Sequence, residues 1–92
     1  MPGERNAPHE LRSRVRELVI RAVCLKIPPE SLPFDRPLFD GSLGLDSIDA
    51  LEIAVTIEKE FKVRLDENEA RDVLTSVATI AAFIERTGVI QN

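Results

Sequence analysis

Pro28, Pro29, Pro33, Pro37, Gly41 and Gly44 gather four of the chain's six prolines and two of its four glycines between residues 28 and 45. No helix or regular strand can run through such a stretch, because proline lacks a backbone N–H and biases the residue before it away from helical geometry. The chain is thereby divided into an N-terminal segment, a long loop and a C-terminal half. Loops of this length are uncommon in compact domains unless they are functional or pinned down. Leu32, Phe34, Leu38, Phe39 and Leu43 are available to pin this one to a core.

On either side of the loop the apolar residues keep helical time. From about His9 to Lys26, Leu11, Val15, Leu18, Ala22 and Leu25 form one stripe of an amphipathic helix, with Arg12, Arg16 and Arg21 off it and Pro28-Pro29 to end it. A second helix is predicted from Ser47 to about Phe61. Ala50, Ile53, Ala54, Ile57 and Phe61 cluster on one side of its wheel, while Ile48, Leu51 and Val55 lie elsewhere, flanked by Glu52 and Lys59 on one side and Glu58 on the other. That is more apolar surface than one core needs, so the second strip is either a docking surface or is covered by another part of the fold.

Phe61-Lys62-Val63-Arg64-Leu65 alternates apolar and basic residues, which suits a short extended connection with Phe61, Val63 and Leu65 turned inward and no sheet. Asp66 with Glu69 forms a capping-box pattern that opens a short helix through about Leu74. Ser76 can cap a last helix with Val77, Ile80, Ala81 and Ile84 as its buried stripe and Gly88 as its stop. The fold class is therefore all-α: a small four-helix bundle of three longer helices and one short one, with the long loop between the first two. Residues 1–8 read as a disordered tail, 9–88 as the domain and 89–92 as a C-terminal tail.

Ninety-two residues make one domain, and 43% hydrophobic with 30% charged residues is a globular, soluble composition. Four Phe with no Tyr or Trp imply an aliphatic core and little to stack on nucleic-acid bases. Residues 1–40 carry seven basic and six acidic side chains, a net +1, whereas residues 41–92 carry five basic and ten acidic, a net −5. An acidic half of that kind repels nucleic acid and anionic lipid and steers basic protein partners toward it. Cys24 is the one cysteine, so no intramolecular disulfide forms and no oxidising compartment is required. Met1 to Pro8 contains no apolar run of a signal peptide or membrane anchor, and cytoplasmic residence without membrane insertion is expected.

The residue best placed to carry chemistry is Ser47. Asp46 is suited as N-cap and Asp49 as its reciprocal partner, which puts Ser47 in the first turn with its hydroxyl toward water. Free N–H groups and the positive dipole end at such a helix start favour a phosphate ester on that hydroxyl. An enzyme is disfavoured, because Gly44 to Ile48 is not a Gly-x-Ser-x-Gly elbow and the one histidine, His9, lies near the tail. One His and one Cys cannot build a zinc site, and Asp40 to Asp46 lacks the pattern of a calcium loop.

Gly44-Leu45-Asp46-Ser47-Ile48-Asp49, then Leu51-Glu52 and Ile57-Glu58-Lys59-Glu60-Phe61, resemble the attachment motif and second helix of the acyl carrier protein family. The resemblance extends over roughly residues 9 to 88, including Phe39 and Leu43 ahead of the motif and Ser76-Val77 opening the last helix. It implies a carrier domain that performs no catalysis and bears covalent 4′-phosphopantetheine on Ser47. A phosphopantetheinyl transferase would install the arm from coenzyme A with Mg²⁺ in its own site. Asp46 and Asp49 would present the serine and meet basic residues on the transferase. Ile48, Leu51, Glu52, Val55 and Glu58 match the family's partner face, and Phe39, Ile57, Leu65, Ala70 and Val73 match an interior that shelters an acyl chain.

The partners so implied are acyl-processing enzymes such as a ketosynthase or acyl ligase, served by a monomeric carrier in fatty-acid, polyketide or specialised-lipid synthesis. Lys59, where many members carry an acid, and the basic pair Lys62 and Arg64 depart from the family pattern. The form Leu43-Gly44-Leu45-Asp46-Ser47 is more similar to dedicated polyketide or specialised-lipid carriers. Two alternatives stand beside this reading. Peptidyl and aminoacyl carriers usually show Gly-Gly-His-Ser or Gly-Gly-Asp-Ser, from which Leu45 departs, and an unmodified helical adaptor would use the Ile48, Leu51, Val55 strip without any arm.

Overall fold

A computed structural model describes residues 9–87. The tails predicted at 1–8 and 89–92, and the stop predicted at Gly88, lie outside the described residues. Four α-helices follow one another: α1 (His9–Ala22), α2 (Ser47–Phe61), α3 (Glu67–Val73) and α4 (Val77–Thr87), with one 3-10 turn, Pro29–Ser31, inside the long loop. No strand occurs among the described residues. Three longer helices and one short one thus form the expected bundle, in which α1 packs against α4 and α2 while α3 packs against α4.

Helix α1 ends at Ala22, four residues short of the predicted Lys26, and proline is not what ends it. Cys24 takes left-handed backbone geometry at φ 54°. Leu25 N–H donates to Ile20 O (3.0 Å) and Cys24 N–H to Arg21 O (3.4 Å), the paired bonds of a Schellman motif. The chain has already turned away before it reaches Pro28. Val19, absent from the predicted stripe, is fully buried with Leu11, Val15 and Leu18, while Ala22 and Leu25 only lean against the core.

The long loop is stitched into the bundle rather than draped over it. Leu32 and Leu38 are completely buried, and Phe34, Phe39 and Leu43 pack partly buried against the core. Leu38 N–H donates to Thr75 O (2.8 Å), and Phe34 O accepts from Ala78 N–H (2.7 Å) in the first turn of α4. The Phe34 ring lies beneath the Arg16 and Arg12 guanidinium groups, 4.6 and 5.3 Å from its centroid, with the His9 ring edge-on at 5.4 Å.

Each later helix start is capped. Asp66 accepts from Asn68 N–H (3.2 Å) at α3, without the reciprocal Glu69 bond that the sequence pattern allowed. At α4 the Ser76 hydroxyl accepts from Thr79 N–H (3.2 Å), and Thr79 Oγ1 accepts from Ser76 N–H (2.9 Å). Ser76 is buried, so an unpaired hydroxyl there would be costly. Val77, Ile80, Ala81 and Ile84 form the predicted buried stripe, joined by Phe83. Between α2 and α3, Lys62 sits in the left-handed region at φ 57°, turning the chain so that Phe61 and Val63 are buried and Leu65 is half-buried.

Candidate functional site

The site begins with the turn that delivers the chain to α2. Gly41 and Gly44 hold φ angles of 97° and 73°, a region that side-chain-bearing residues enter at a cost. A β-carbon at Gly44 would meet nothing within 4 Å, so the turn needs glycine for its backbone angle and not for space. Leu45 then packs half-buried against the core and anchors the segment just before the helix.

Asp46 is extended at φ −127°, and its Oδ1 accepts from Ile48 N–H (3.0 Å) and Asp49 N–H (3.1 Å). Asp49 Oδ2 accepts in return from Asp46 N–H (3.0 Å), completing the predicted capping box. Ser47 is the first residue of α2 and is exposed, as expected. One expectation changes. Two of the N–H groups counted as free for a phosphate are already taken by the Asp46 carboxylate, which is itself the anion that the helix start attracts.

From this point α2 shows two faces. Ile53, Ile57 and Phe61 are buried, and Ala50 and Ala54 pack against the core. On the other side Ile48, Leu51 and Val55 are 69%, 64% and 44% exposed, the large hydrophobic residues left in water among the described residues. Glu52 is exposed beside them. Glu58 is placed differently from the rest of the predicted partner face. Its Oε2 accepts from Leu65 N–H (2.8 Å), so this carboxylate fastens the connection after α2 back onto the helix.

A cleft of about 680 Å³ opens beside Ser47. Its walls come from the loop (Phe39, Asp40), the start of α2 (Leu45, Ser47, Ala50) and α3 with its C-terminal end (Ala70, Arg71, Leu74). Of the residues expected to shelter an acyl chain, Phe39 and Ala70 are on this wall. Ile57 and Val73 lie in the packed core and Leu65 leans on that core, so the structure does not bring these three to the cleft. Leu74 and Arg71 were missed in the sequence, although Ala70 and Leu74 share a face of α3 by their four-residue spacing.

Asp40, on the loop side of the cleft, keeps its carboxyl below the usual carboxylate range. The cause is hydrogen bonding from Ser42, whose N–H (2.9 Å) and hydroxyl (2.7 Å) both donate to Oδ1, with a smaller contribution from the Arg36 charge. Arg36 in turn donates to Ser42 Oγ and to Ser31 O, each at 3.3 Å, bracing the loop just ahead of the site.

A family model described as "Phosphopantetheine attachment site" matches residues 13–84 of this chain. An acyl carrier protein of Campylobacter curvus is 31% identical over 74 residues, covering 80% of this chain and 91% of that protein. One from Bradyrhizobium is 31% identical over 77 residues, 84% of this chain and 92% of its own length. The chloroplastic acyl carrier protein 1 of Hordeum vulgare is 32% identical over 84 residues, covering 91% of this chain and 54% of that longer protein. No helix among the described residues is long and apolar enough to cross a membrane.

Proposed function

The chain belongs to the acyl carrier protein family, with 4′-phosphopantetheine as its covalent prosthetic group, and on that premise we propose that Ser47 is the attachment residue of a carrier that passes acyl intermediates between biosynthetic enzymes. The observation that carries this reading is the position of Ser47. It is exposed, it is the first residue of a doubly capped helix, and it stands on the rim of a cleft with an uncovered apolar strip one residue further on. A covalent arm at this place has open solvent on one side and a sheltered volume on the other. The arm supplies a thiol that holds the acyl group as a reactive thioester.

The chain's own residues prepare and present the hydroxyl. Asp46 and Asp49 tie the loop end to the helix start, which holds the backbone that carries Ser47 in place for a docking phosphopantetheinyl transferase. In the transfer, Ser47 Oγ forms a bond to the pantetheine-bearing phosphorus of coenzyme A, the bond to the adenosine bisphosphate breaks, and the serine proton leaves to a base of the transferase. Ile48, Leu51 and Val55 supply a small apolar contact, and Glu52 with the acidic C-terminal half supplies the charge that steers basic partners. Such a surface gives fast, salt-sensitive and brief docking, which suits a carrier that visits several enzymes. Tethering the cargo raises its effective concentration at each of them. The enzymes proposed are acyl-processing ones, such as a ketosynthase or acyl ligase of fatty-acid, polyketide or specialised-lipid synthesis.

Incubation with coenzyme A, Mg²⁺ and a broad-specificity transferase should add one phosphopantetheine, read by intact-protein mass spectrometry. Ser47→Ala should add none. A wild-type protein that stays unmodified, or an alanine variant that is still modified, would overturn the assignment.

A further inference from the structure

Arg16 is a half-buried cation whose Nε is enclosed without a hydrogen-bond partner and whose guanidinium forms no ion pair among the described residues. Its contacts are the Phe34 ring, 4.6 Å from centroid to guanidinium, and a long bond of 3.5 Å to Leu32 O. A second cation stands beside it. Arg12, one turn earlier on α1, lies 5.3 Å from the centre of the same ring, and like charges four residues apart on a helix repel. Stacking on a ring engages the face of a guanidinium and leaves its in-plane N–H donors for an anion. This corner is separate from the α2 strip. Phe34 O accepts from Ala78 N–H, which sets the pair on the α4 side of α1, whereas Arg14, on the opposite flank, lies over Phe61 of α2. Arg14 and Arg21 share a small cleft there with Glu17 and Glu60, so charge on that flank is balanced.

We propose that Arg12, Arg16 and Phe34 form a second docking surface, which takes an acidic segment of a partner protein while the α2 strip stays open to other enzymes. Guanidinium forks match carboxylates with paired hydrogen bonds, and an incoming carboxylate gives Arg16 the counter-charge that the fold withholds. Extended polyanions are disfavoured. The net −5 of residues 41–92 repels nucleic acid and anionic lipid, and the large exposed hydrophobic side chains that could enter a bilayer are, among the described residues, all on α2. A short acidic segment is held by the local pair, because salt screens charges beyond about 10 Å.

The test titrates the ¹⁵N-labelled protein with hexaglutamate, hexalysine, inorganic phosphate and phosphatidylglycerol vesicles. Hexaglutamate should shift the Arg12 and Arg16 Nε signals and the Phe34 amide saturably, and leave the Ile48, Leu51 and Val55 amides in place. Arg16→Gln should weaken that binding about tenfold, the loss of one charge-assisted pair. Arg12→Gln should weaken it as well while leaving the contact between Arg16 and the loop intact. Arg14→Gln removes the same charge from the opposite flank and should change the affinity by less than about twofold, as a screened charge does. No saturable shift with hexaglutamate, equal binding of hexalysine, an equal loss in Arg14→Gln, or shifts centred on α2 would each overturn the proposal. So would phosphate or vesicles that bind these arginines as tightly as hexaglutamate, or self-association of the chain that sedimentation detects without peptide and that Arg12→Gln abolishes. None of these outcomes bears on arm attachment at Ser47, which is read separately by mass.

Discussion

Asp46 joins two structures that have to meet at one angle, the turn set by Gly44 and the helix that begins at Ser47. Its carboxylate satisfies two of the N–H groups that α2 leaves unpaired, and its own N–H is held by Asp49. Losing an N-cap acceptor of this kind costs about 1 kcal/mol. Asp46→Ala should therefore lower the unfolding free energy by about that amount in a urea titration, and should also slow arm transfer because the serine is no longer held at one orientation. Asp46→Asn keeps an acceptor oxygen, so it should retain most of the stability while still losing transfer rate through the missing charge. Equal stability of the alanine and wild-type proteins would mean that the cap contributes nothing to the helix start.

Helix α2 is buried along one side and carries an exposed apolar strip, the proposed docking surface, on the other. Ile53 and Ile57 are completely buried, whereas Leu51 is 64% exposed two residues before Ile53. A large exposed apolar side chain has little burial to lose, so Leu51→Ala should change unfolding free energy by less than about 0.5 kcal/mol. The same substitution should weaken docking, raising the carrier concentration at which a partner enzyme reaches half its rate. A variant that melts early and docks normally would assign Leu51 to the fold instead. Glu58 belongs to a different category from its neighbours, because its carboxylate is engaged by Leu65 N–H and holds the α2–α3 connection.

At the scale of the whole molecule the long loop behaves as part of the core. Leu32 and Leu38 are fully buried, and two backbone bonds of 2.8 and 2.7 Å join the loop to Thr75 and Ala78 at the α3–α4 corner. Leu38→Ala should cost roughly 2–5 kcal/mol, a large share of the stability of a domain this size. Circular dichroism should show the whole helical signal lost in one transition at lower denaturant. A variant whose bundle keeps its stability would show the loop to be an attachment rather than a wall of the core. The charge asymmetry belongs to the same scale, since the acidic half contains α2, α3 and Ser47 and gives their surroundings a net negative charge.

Periodicity and capping chemistry are local, and what depends on them was readable from the chain. That includes the limits of α2, the Asp46–Asp49 box, the stripe of α4, the burial of Phe61 and Val63 and the surplus strip of Ile48, Leu51 and Val55, though not the left-handed turn at Lys62, where an extended connection was expected. The C-terminal end of α1 was not readable, because it rests on Cys24 taking a left-handed conformation that residue type alone does not demand. Nor was the cleft. Its wall gathers residues from the loop, α2 and α3, and whether Ile57 or Leu74 faces it depends on how those elements lie against one another. Spacing along a helix decides which residues share a face. What that face meets is decided only when distant segments pack, and packing is what leaves Arg71 beside the space next to Ser47.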